Sequence, residues 1–423
     1  MKILVIGSGG REHALCQAFR RSRKTGEIFC ANGNAGIAEI AEIVNIKPSE
    51  IEKLACFAED EKIDLTFVGG ETALALGIVD EFEKRNLKII GATAEASQLE
   101  ASKAFAKDFM ARHNIPTAKF ETANSPAEAI EILRRGRFGD EQTAVVVKAD
   151  GLAAGKGVVV AQNRAEAERA IGELENLAGR EAAAKIVLEE CLIGREVSLL
   201  AFADGKNFVL MPPARDHKRI GENDTGANTG GMGVITDASL LTPEQTVEII
   251  EKIIKPTLDG VRDEDFEFSG ILFLGLMLTA DGIKVLEYNA RFGDPETQAI
   301  LVRLETDFVE ICEAILEQRL DKLKIEWKEG NSACVILAAQ NYPQKPQIGD
   351  RIEGLDKAEA QEQIFIFHGG TSKDENGEFI TAGGRVLGVT ATARNLNGAI
   401  HRAYKAVNEI AWNGMQYRRD IGK

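Results

Sequence analysis

Over the first hundred residues, short β-rich runs alternate with amphipathic helical patterns, which restricts this end of the chain to a parallel sheet flanked by helices. The runs are Ile3 to Ile6, Glu27 to Ala31, Leu65 to Val68 and Lys88 to Ile90; helical patterns begin at Glu12 and near Ser49. Gln98 to Arg112 reads as one helix, and Pro116 prevents its continuation through Asn114-Ile115-Pro116-Thr117. A domain boundary near residue 102 follows. With 423 residues and 44% hydrophobic content, the chain holds material for two to four domains. A helix-and-strand module occupies 126 to 190, and more strands with a Gly-rich loop fill 191 to 326. From Ala333 to the final helix, Leu396 to Ile410, the pattern suggests a separate α+β lobe.

The charge balance limits partners. Against 51 basic residues stand 66 acidic ones, a net charge of −15, so neither nucleic acid nor an anionic membrane is an expected partner. Any anionic ligand must be bound by local basic groups. MKILVIG leads straight into glycine without the pattern of a secretory signal, and no apolar run approaches membrane-spanning length. The six cysteines show no CxxC pairing and the five histidines no zinc-type spacing. Reduced thiols in a cytoplasm are the simplest account.

Residues 281 to 298, DGIKVLEYNARFGDPETQ, carry the most chemistry. Asp281-Gly282 suits a tight turn between the run Ile271 to Leu278 and the strand Ile283 to Asn289. Residues two apart on a strand share a face, so Glu287 and Asn289 would project together as hard oxygen ligands for Mg²⁺ carrying nucleotide phosphates. Asp294 is expected to cap a helix with Pro295 in its first turn, leaving N–H groups for an anion.

Other loops point the same way. GSGGREH follows a strand, but Glu12 stands at the third glycine position of a dinucleotide fingerprint, and no ribose-binding acid follows the second strand. A phosphate monoester fits better, with Gly9 and Gly10 allowing close approach and Arg11 pairing with it. Gly69-Gly70-Glu71-Thr72 could face the same crevice. VVVKADGLAAGKGVVV is not a Walker loop, because the glycine spacing is wrong and Gly157 replaces Ser or Thr; it reads as a flap over phosphates, with Gly151, Gly155 and Gly157 in its loop and Lys148 at a strand end. Ile186 to Leu188 runs into Glu189-Glu190 and returns through Val197 to Phe202; Glu196 or Glu189 could accept hydrogen bonds from a nucleotide. In ARDHKRIGENDTGANTGGMG, Lys218 and Arg219 read as anion binders and Asp216 as an orienting carboxylate. His368-Gly369-Gly370-Thr371 and Gly383-Gly384-Arg385 read equally as hairpin turns or ligand loops.

The ordered set GSGGREH, KADGLAAGKG, DHKR, DTGANTGGMG and EYNARFGDPETQ resembles the phosphoribosylamine-glycine ligase family, also called glycinamide ribonucleotide synthetases, over essentially the whole chain. The resemblance implies an α/β and α+β multidomain protein: an N-terminal parallel α/β domain (1–102), an ATP-grasp region (103–326) with a mobile lid at about 124–190, and a C-terminal α+β lobe (327–423). It implies ATP-dependent joining of glycine to 5-phosphoribosylamine through glycyl phosphate, in purine synthesis. Glu287 and Asn289 would bind Mg²⁺ or Mn²⁺. Lys103, Lys148, Gly155 and Gly157 would contact ATP phosphates; the segment Glu189, Glu190 and Leu192 would meet adenine, Glu196 the ribose, and Arg219 with Asn228 the nucleotide. Gly9, Gly10, Arg11, Glu71, Lys218 and Gly293 would line the substrate site, while Asp216, Arg291 and Asp294 would position glycine or the incoming amine. A monomer is expected, with a weak dimer as the alternative. Two departures stand out: Ile271 to Leu278 lacks the metal-binding acid common in ATP-grasp enzymes, and Gly70 replaces the proline of the usual Gly-Pro-Glu loop. The rival readings are another ATP-grasp ligase or carboxylase, a nicotinamide oxidoreductase, and a nucleotide sensor.

Overall fold

The computed structural model describes residues 1–152, 157–266 and 268–423. The first sheet contains β1 (Lys2–Gly7), β2 (Glu27–Asn32), β3 (Glu42–Val44), β4 (Leu65–Val68) and β5 (Ile89–Ile90) in the order β3-β2-β1-β4-β5, every pair parallel. Ile3 to Ile6 are fully buried because helices cover both faces. Strand order reverses about β1, so a crevice opens beyond the carboxyl ends of β1 and β4. Gly7 to Arg11 and Gly69 to Glu71 emerge there side by side.

The segment Gln98 to Arg112 is two helices, Gln98–Ala101 and Lys103–Arg112, not one. Ser102 between them is extended, and its hydroxyl accepts from Phe105 N at 3.0 Å. Asp150, from far along the chain, accepts from Ala104 N at 2.7 Å and from the Ser102 hydroxyl. A good capping residue with a tertiary acceptor outweighs a continuous helical pattern.

A separate four-stranded antiparallel sheet lies where the lid is expected, starting slightly earlier, at Phe120, and is called the lid below: β6 (Phe120–Ala123), β7 (Val145–Ala149), β8 (Val158–Ala161) and β9 (Ile186–Glu190), ordered β6-β9-β7-β8. Helices Pro126–Arg134 and Arg164–Ala178 back it with a core of its own, including Ile132, Val147, Ile171 and Leu188.

The remaining strands are β10 (Arg195–Asp204), β11 (Phe208–Leu210), β12 (Ala214–Asp216), β13 (Arg219–Gly221), β14 (Thr225–Asn228), β15 (Gly233–Thr236), β16 (Ser269–Thr279), β17 (Gly282–Asn289), β18 (Asn331–Ala338), β19 (Ile364–His368), β20 (Thr371–Lys373), β21 (Phe379–Thr381) and β22 (Arg385–Ala393). Nine of them make one sheet along the path β17-β16-β10-β12-β15-β18-β22-β19, with β11 paired to β10. Two sequence readings change here. Glu189-Glu190 and the run to Phe202 do not form a returning pair, since β9 belongs to the lid and β10 to the large sheet. The C-terminal lobe has its own core, with Val335, Val389, Ala403 and Trp412 among its members, yet β15 pairs directly with β18, so the sheet passes without interruption from the central region into it. Phe19 and Phe67 of the N-terminal unit pack on Phe308, with ring centroids 4.8 and 5.5 Å apart, and Phe292 joins the cluster. Burying such rings holds the backbone at 291 to 293 against the first sheet.

Candidate active site

The β16–β17 hairpin turns at Ala280-Asp281, one residue before the Asp281-Gly282 expected, because Gly282 already pairs with Thr279; its φ of +111° is a value L side chains rarely adopt. A bulge at Leu286 breaks the register between Gly275 and Leu276. Tyr288 is buried, with its hydroxyl 2.7 Å from that of Thr257, and Glu287 and Asn289 project from the other face. Opposite Glu287 stands Gly275, where a Cβ would lie 3.1 Å from Glu287 Cγ.

Three ammonium groups from three parts of the chain surround Glu287. Lys218 Nζ is 3.5 Å from it and 3.3 Å from Glu196. Lys148, at the end of lid strand β7, donates to Leu286 O at 3.2 Å, and Lys103, at the start of its helix, donates to Gly151 O at 3.2 Å. Lys218 above all, with Lys148 and Lys103, overcomes burial and holds the Glu287 carboxyl at about 2. Burial pulls the Lys103 ammonium below its ordinary value, while Glu196 pushes Lys218 above it. Asp216, at the end of β12, is shifted the other way: burial and the nearby Glu296 raise its carboxyl well above the usual range.

Several expected nucleotide contacts are engaged within the protein. The Glu189 carboxylate lies between Lys148 at 2.7 Å and Lys107 at 3.0 Å, so it is not presented to a ligand. Glu190 accepts from Lys119 N at 2.9 Å and pairs with Lys284 at 3.2 Å. Leu192 lies in the link between lid and large sheet. Thr225 to Asn228 is a strand rather than open loop: Arg219 donates to Gly226 O at 2.6 Å across the β13–β14 pair, and Asn228 donates to Val158 O on the lid at 3.2 Å. Gly157 O accepts from Ala149 N at 2.8 Å. Gly155 lies outside the described residues.

A second cluster lines the crevice of the first sheet. Arg11 pairs with Glu12 at 2.6 Å and donates to Phe292 O at 2.9 Å. Arg291 pairs with Glu100 at 2.8 Å and Glu71 at 3.4 Å. Burial opposes the charge on Glu71, but Arg291 and Arg11 outweigh it and hold that carboxyl at about 2; burial wins at Glu100, whose carboxyl is raised. Gly293 has no room for a side chain, since a Cβ would strike Glu296 and Phe273.

Three features depart from the sequence reading. The Gly9 N–H donates to Glu12 Oε2 at 2.6 Å and so is not free for a phosphate. Asp294 does not cap a helix: after a cis Asp294-Pro295 peptide the helix spans only Glu296–Leu301, and Asp294 accepts from Gln298 Nε2 at 2.8 Å and pairs with Arg385 at 3.3 Å. Arg385 also donates to Asp294 O at 2.6 Å and Gly230 O at 2.5 Å, which brings a C-terminal residue into the site. Glu12 has a signal in the sequence, an acid three residues after the helix cap; Gly383-Gly384-Arg385 marks a turn or a ligand loop, but nothing local points to Asp294 and Gly230 as the partners of Arg385. Glu12 occupies space left by Gly7 and Gly69, and a Cβ on Gly69 would run into its carboxylate. Gly69→Ala is therefore expected to displace Glu12 and Arg11, lowering stability by about 1–3 kcal/mol. Thermal unfolding would check the stability loss.

Glu287 and Asn289 offer a divalent ion two hard oxygen ligands, and Glu287 is held ionised. Among the described residues, no group of three His, Cys, Asp or Glu side chains could hold a metal. The surrounding lysines oppose a bare cation, so the residues fit a metal that arrives with nucleotide phosphates completing its ligands.

Family models cover nearly the whole chain. Those described as phosphoribosylglycinamide synthetase N domain, ATP-grasp (A) domain and C domain match residues 1–100, 101–297 and 332–423. The chain belongs to this family. Phosphoribosylamine–glycine ligase of Caldanaerobacter subterraneus is 44% identical over 100% of this chain and 99% of the relative, and that of Pasteurella multocida 46% identical over 100% and 97%. The crystal structure of the Thermotoga maritima phosphoribosylamine–glycine ligase, 33% identical, superposes with a TM-score of 0.82 over 100% of both chains. Biotin carboxylase from Campylobacter jejuni, at 16% identity, shares the fold with a TM-score of 0.74 over 98% of this chain and 92% of its own. The N-terminal parallel sheet, ATP-grasp core and C-terminal lobe of the synthetase family are thus present here. No described helix is long and apolar enough to cross a membrane.

Proposed function

We propose that the two clusters form one active site that joins glycine to 5-phosphoribosylamine with ATP cleaved to ADP and phosphate, giving glycinamide ribonucleotide for purine synthesis. The observation that carries this reading is the ring of Lys103, Lys148 and Lys218 about an ionised Glu287, beside a crevice lined by Arg11, Arg291 and Asp294, in a chain matched end to end by one ligase family.

Glycine carboxylate is a poor acyl donor, and transfer of a phosphoryl group from ATP makes it a good one. Lys148 and Lys103 hold the phosphates, with Gly157 approaching them; Gly155, read from the sequence as a second such contact, lies outside the described residues. Lys218 leaves Glu287 and Glu196 to meet the transferring group. The segment Glu189 to Leu192 meets adenine through its backbone, Glu196 meets the ribose, and Arg219 and Asn228 border the nucleotide from the strand pair that touches the lid. A divalent metal on Glu287 and Asn289, Mg²⁺ or Mn²⁺, would neutralise phosphate charge and align the oxygens. Arg291 orients the glycine carboxylate near Gly293. Arg11, beside Gly9, Gly10 and Glu71, meets the phosphate of phosphoribosylamine. Asp216 and Asp294 hold the attacking amine, and the raised affinity of Asp216 for protons suits it to take the proton released when nitrogen bonds to the acyl carbon. Lid closure excludes water from glycyl phosphate.

A cytoplasmic enzyme fits this reading, as all six cysteines are free thiols; a monomer is expected, with a weak dimer as the alternative. The deciding test is ADP release with ATP, Mg²⁺, fresh phosphoribosylamine and single amino acids, omitting one component at a time. Release requiring both phosphoribosylamine and glycine, with glycinamide ribonucleotide formed, is expected. ADP release with another acceptor would move the substrate, and no turnover would favour a nucleotide sensor.

A further inference from the structure

Lys107 lies one turn beyond Lys103 on the helix Lys103–Arg112, and the chemistry assigned above makes no use of it. A buried ammonium is costly unless its donors are satisfied. Lys107 Nζ is 3.0 Å from Glu189 Oε2 and donates to the Thr117 hydroxyl at 2.7 Å, which in turn donates to Val285 O at 2.7 Å. The second oxygen of Glu189 is 2.7 Å from Lys148 Nζ. The side chains of Lys107, Glu189 and Lys148 are 2%, 2% and 7% exposed, so the three act as one buried group. Two ammoniums on one carboxylate leave a net positive charge, whereas Lys148 and Glu189 alone would make a neutral pair. The group also spans a structural joint: Lys107 belongs to a helix outside the lid sheet, and Glu189 and Lys148 to lid strands β9 and β7.

We propose that Lys107 is a positioning residue for the nucleotide: it occupies one oxygen of Glu189, leaves the Lys107–Glu189–Lys148 group with a net positive charge for the phosphates, and ties β9 to the core. This rests on the nucleotide site read above. The charged groups acting on Lys107 are Glu189, Lys148 and Glu287; burial is the strongest influence, and it brings the ammonium down to about 8 despite the attraction of Glu189. Charge at this site should therefore be lost within the range where binding can be measured.

Calorimetry of ADP binding to the full chain at fixed Mg²⁺, without the other substrates, between about pH 7 and pH 9.5 tests the proposal. Wild-type affinity should fall several-fold as pH rises through the Lys107 range. Lys107→Met should bind ADP at least about tenfold more weakly at pH 7, without that alkaline fall. Lys107→Arg, which stays charged, should restore affinity and remove the fall, separating Lys107 from Lys103, whose ammonium is also weakened by burial. The proposal is overturned if wild-type affinity is flat across the range, if Lys107→Met binds as wild type does, or if Lys107→Arg keeps the full alkaline fall. If the wild-type chain binds no ADP at any pH, the nucleotide site fails along with it.

Discussion

Glu287→Ala is expected to lower ligation by about a thousandfold, the scale for loss of one preorganised electrostatic group at a phosphoryl-transfer site. The fold should persist, because the residue facing Glu287 is Gly275 and the change removes a partly exposed side chain rather than a core contact. Nucleotide binding provides the sharper check. Without the carboxylate, Lys218, Lys148 and Lys103 face one another with less compensation, so ADP should bind at least as tightly in the absence of metal. The gain in affinity on adding Mg²⁺ should disappear. Titration of ADP with and without Mg²⁺ distinguishes the two; a variant that keeps both turnover and the Mg²⁺ effect would remove Glu287 from the metal site.

Arg291→Met should damage both stability and activity. Glu100 is 8% exposed, its carboxylate lies 2.8 Å from Arg291, and its other oxygen accepts from Ala290 N at 2.8 Å. Removing the guanidinium strands a buried carboxylate, a loss of about 3–5 kcal/mol. The sign of its pH dependence follows from the Glu100 carboxyl, which burial already raises and which would rise further without Arg291. A group with a raised folded-state pKa contributes stability below its unfolded value of about 4.3 and loses it as pH rises through the folded value. The variant should thus approach wild-type stability in acid and fall behind toward neutrality. Urea unfolding across pH would show it, and Arg291→Met with Glu100→Gln should recover much of the loss without recovering ligation. An equal deficit at every pH would mean that lost packing, not a stranded charge, is responsible.

Local patterns make four strands of the N-terminal sheet legible, because a parallel strand buried on both faces writes itself as an unbroken apolar run, as at Ile3 to Ile6; the edge strand Glu42–Val44, buried only at Val44, has no such run and is missed. The hairpin that presents Glu287 and Asn289 was legible for a related reason, since its turn and alternation are local. Long-range partners were not. Asp150 splits the helix at Ser102 from 48 residues away, Arg385 reaches Asp294 across 91, and Lys107 looks like any helical lysine until Glu189 and Lys148 surround it. Close approach of a phosphate to Gly9 is expected from the sequence, but the Glu12 carboxylate reaches back to the Gly9 N–H, which depends on the space left by Gly69 just beyond the end of β4.

The direct pairing of β15 with β18 sets where this protein can be divided. A chain ended after residue 326 would turn β15 from an interior strand into an edge, with donors and acceptors bared along Gly233 to Thr236, a template for other copies to stack upon. It would also lose the guanidinium that ties Asp294 to Gly230. The lid strands pair with no strand of the large sheet among the described residues. An engineer seeking to exchange a piece of this protein between relatives should therefore cut at the two links into the lid and transplant that unit whole, leaving the nine-stranded sheet intact.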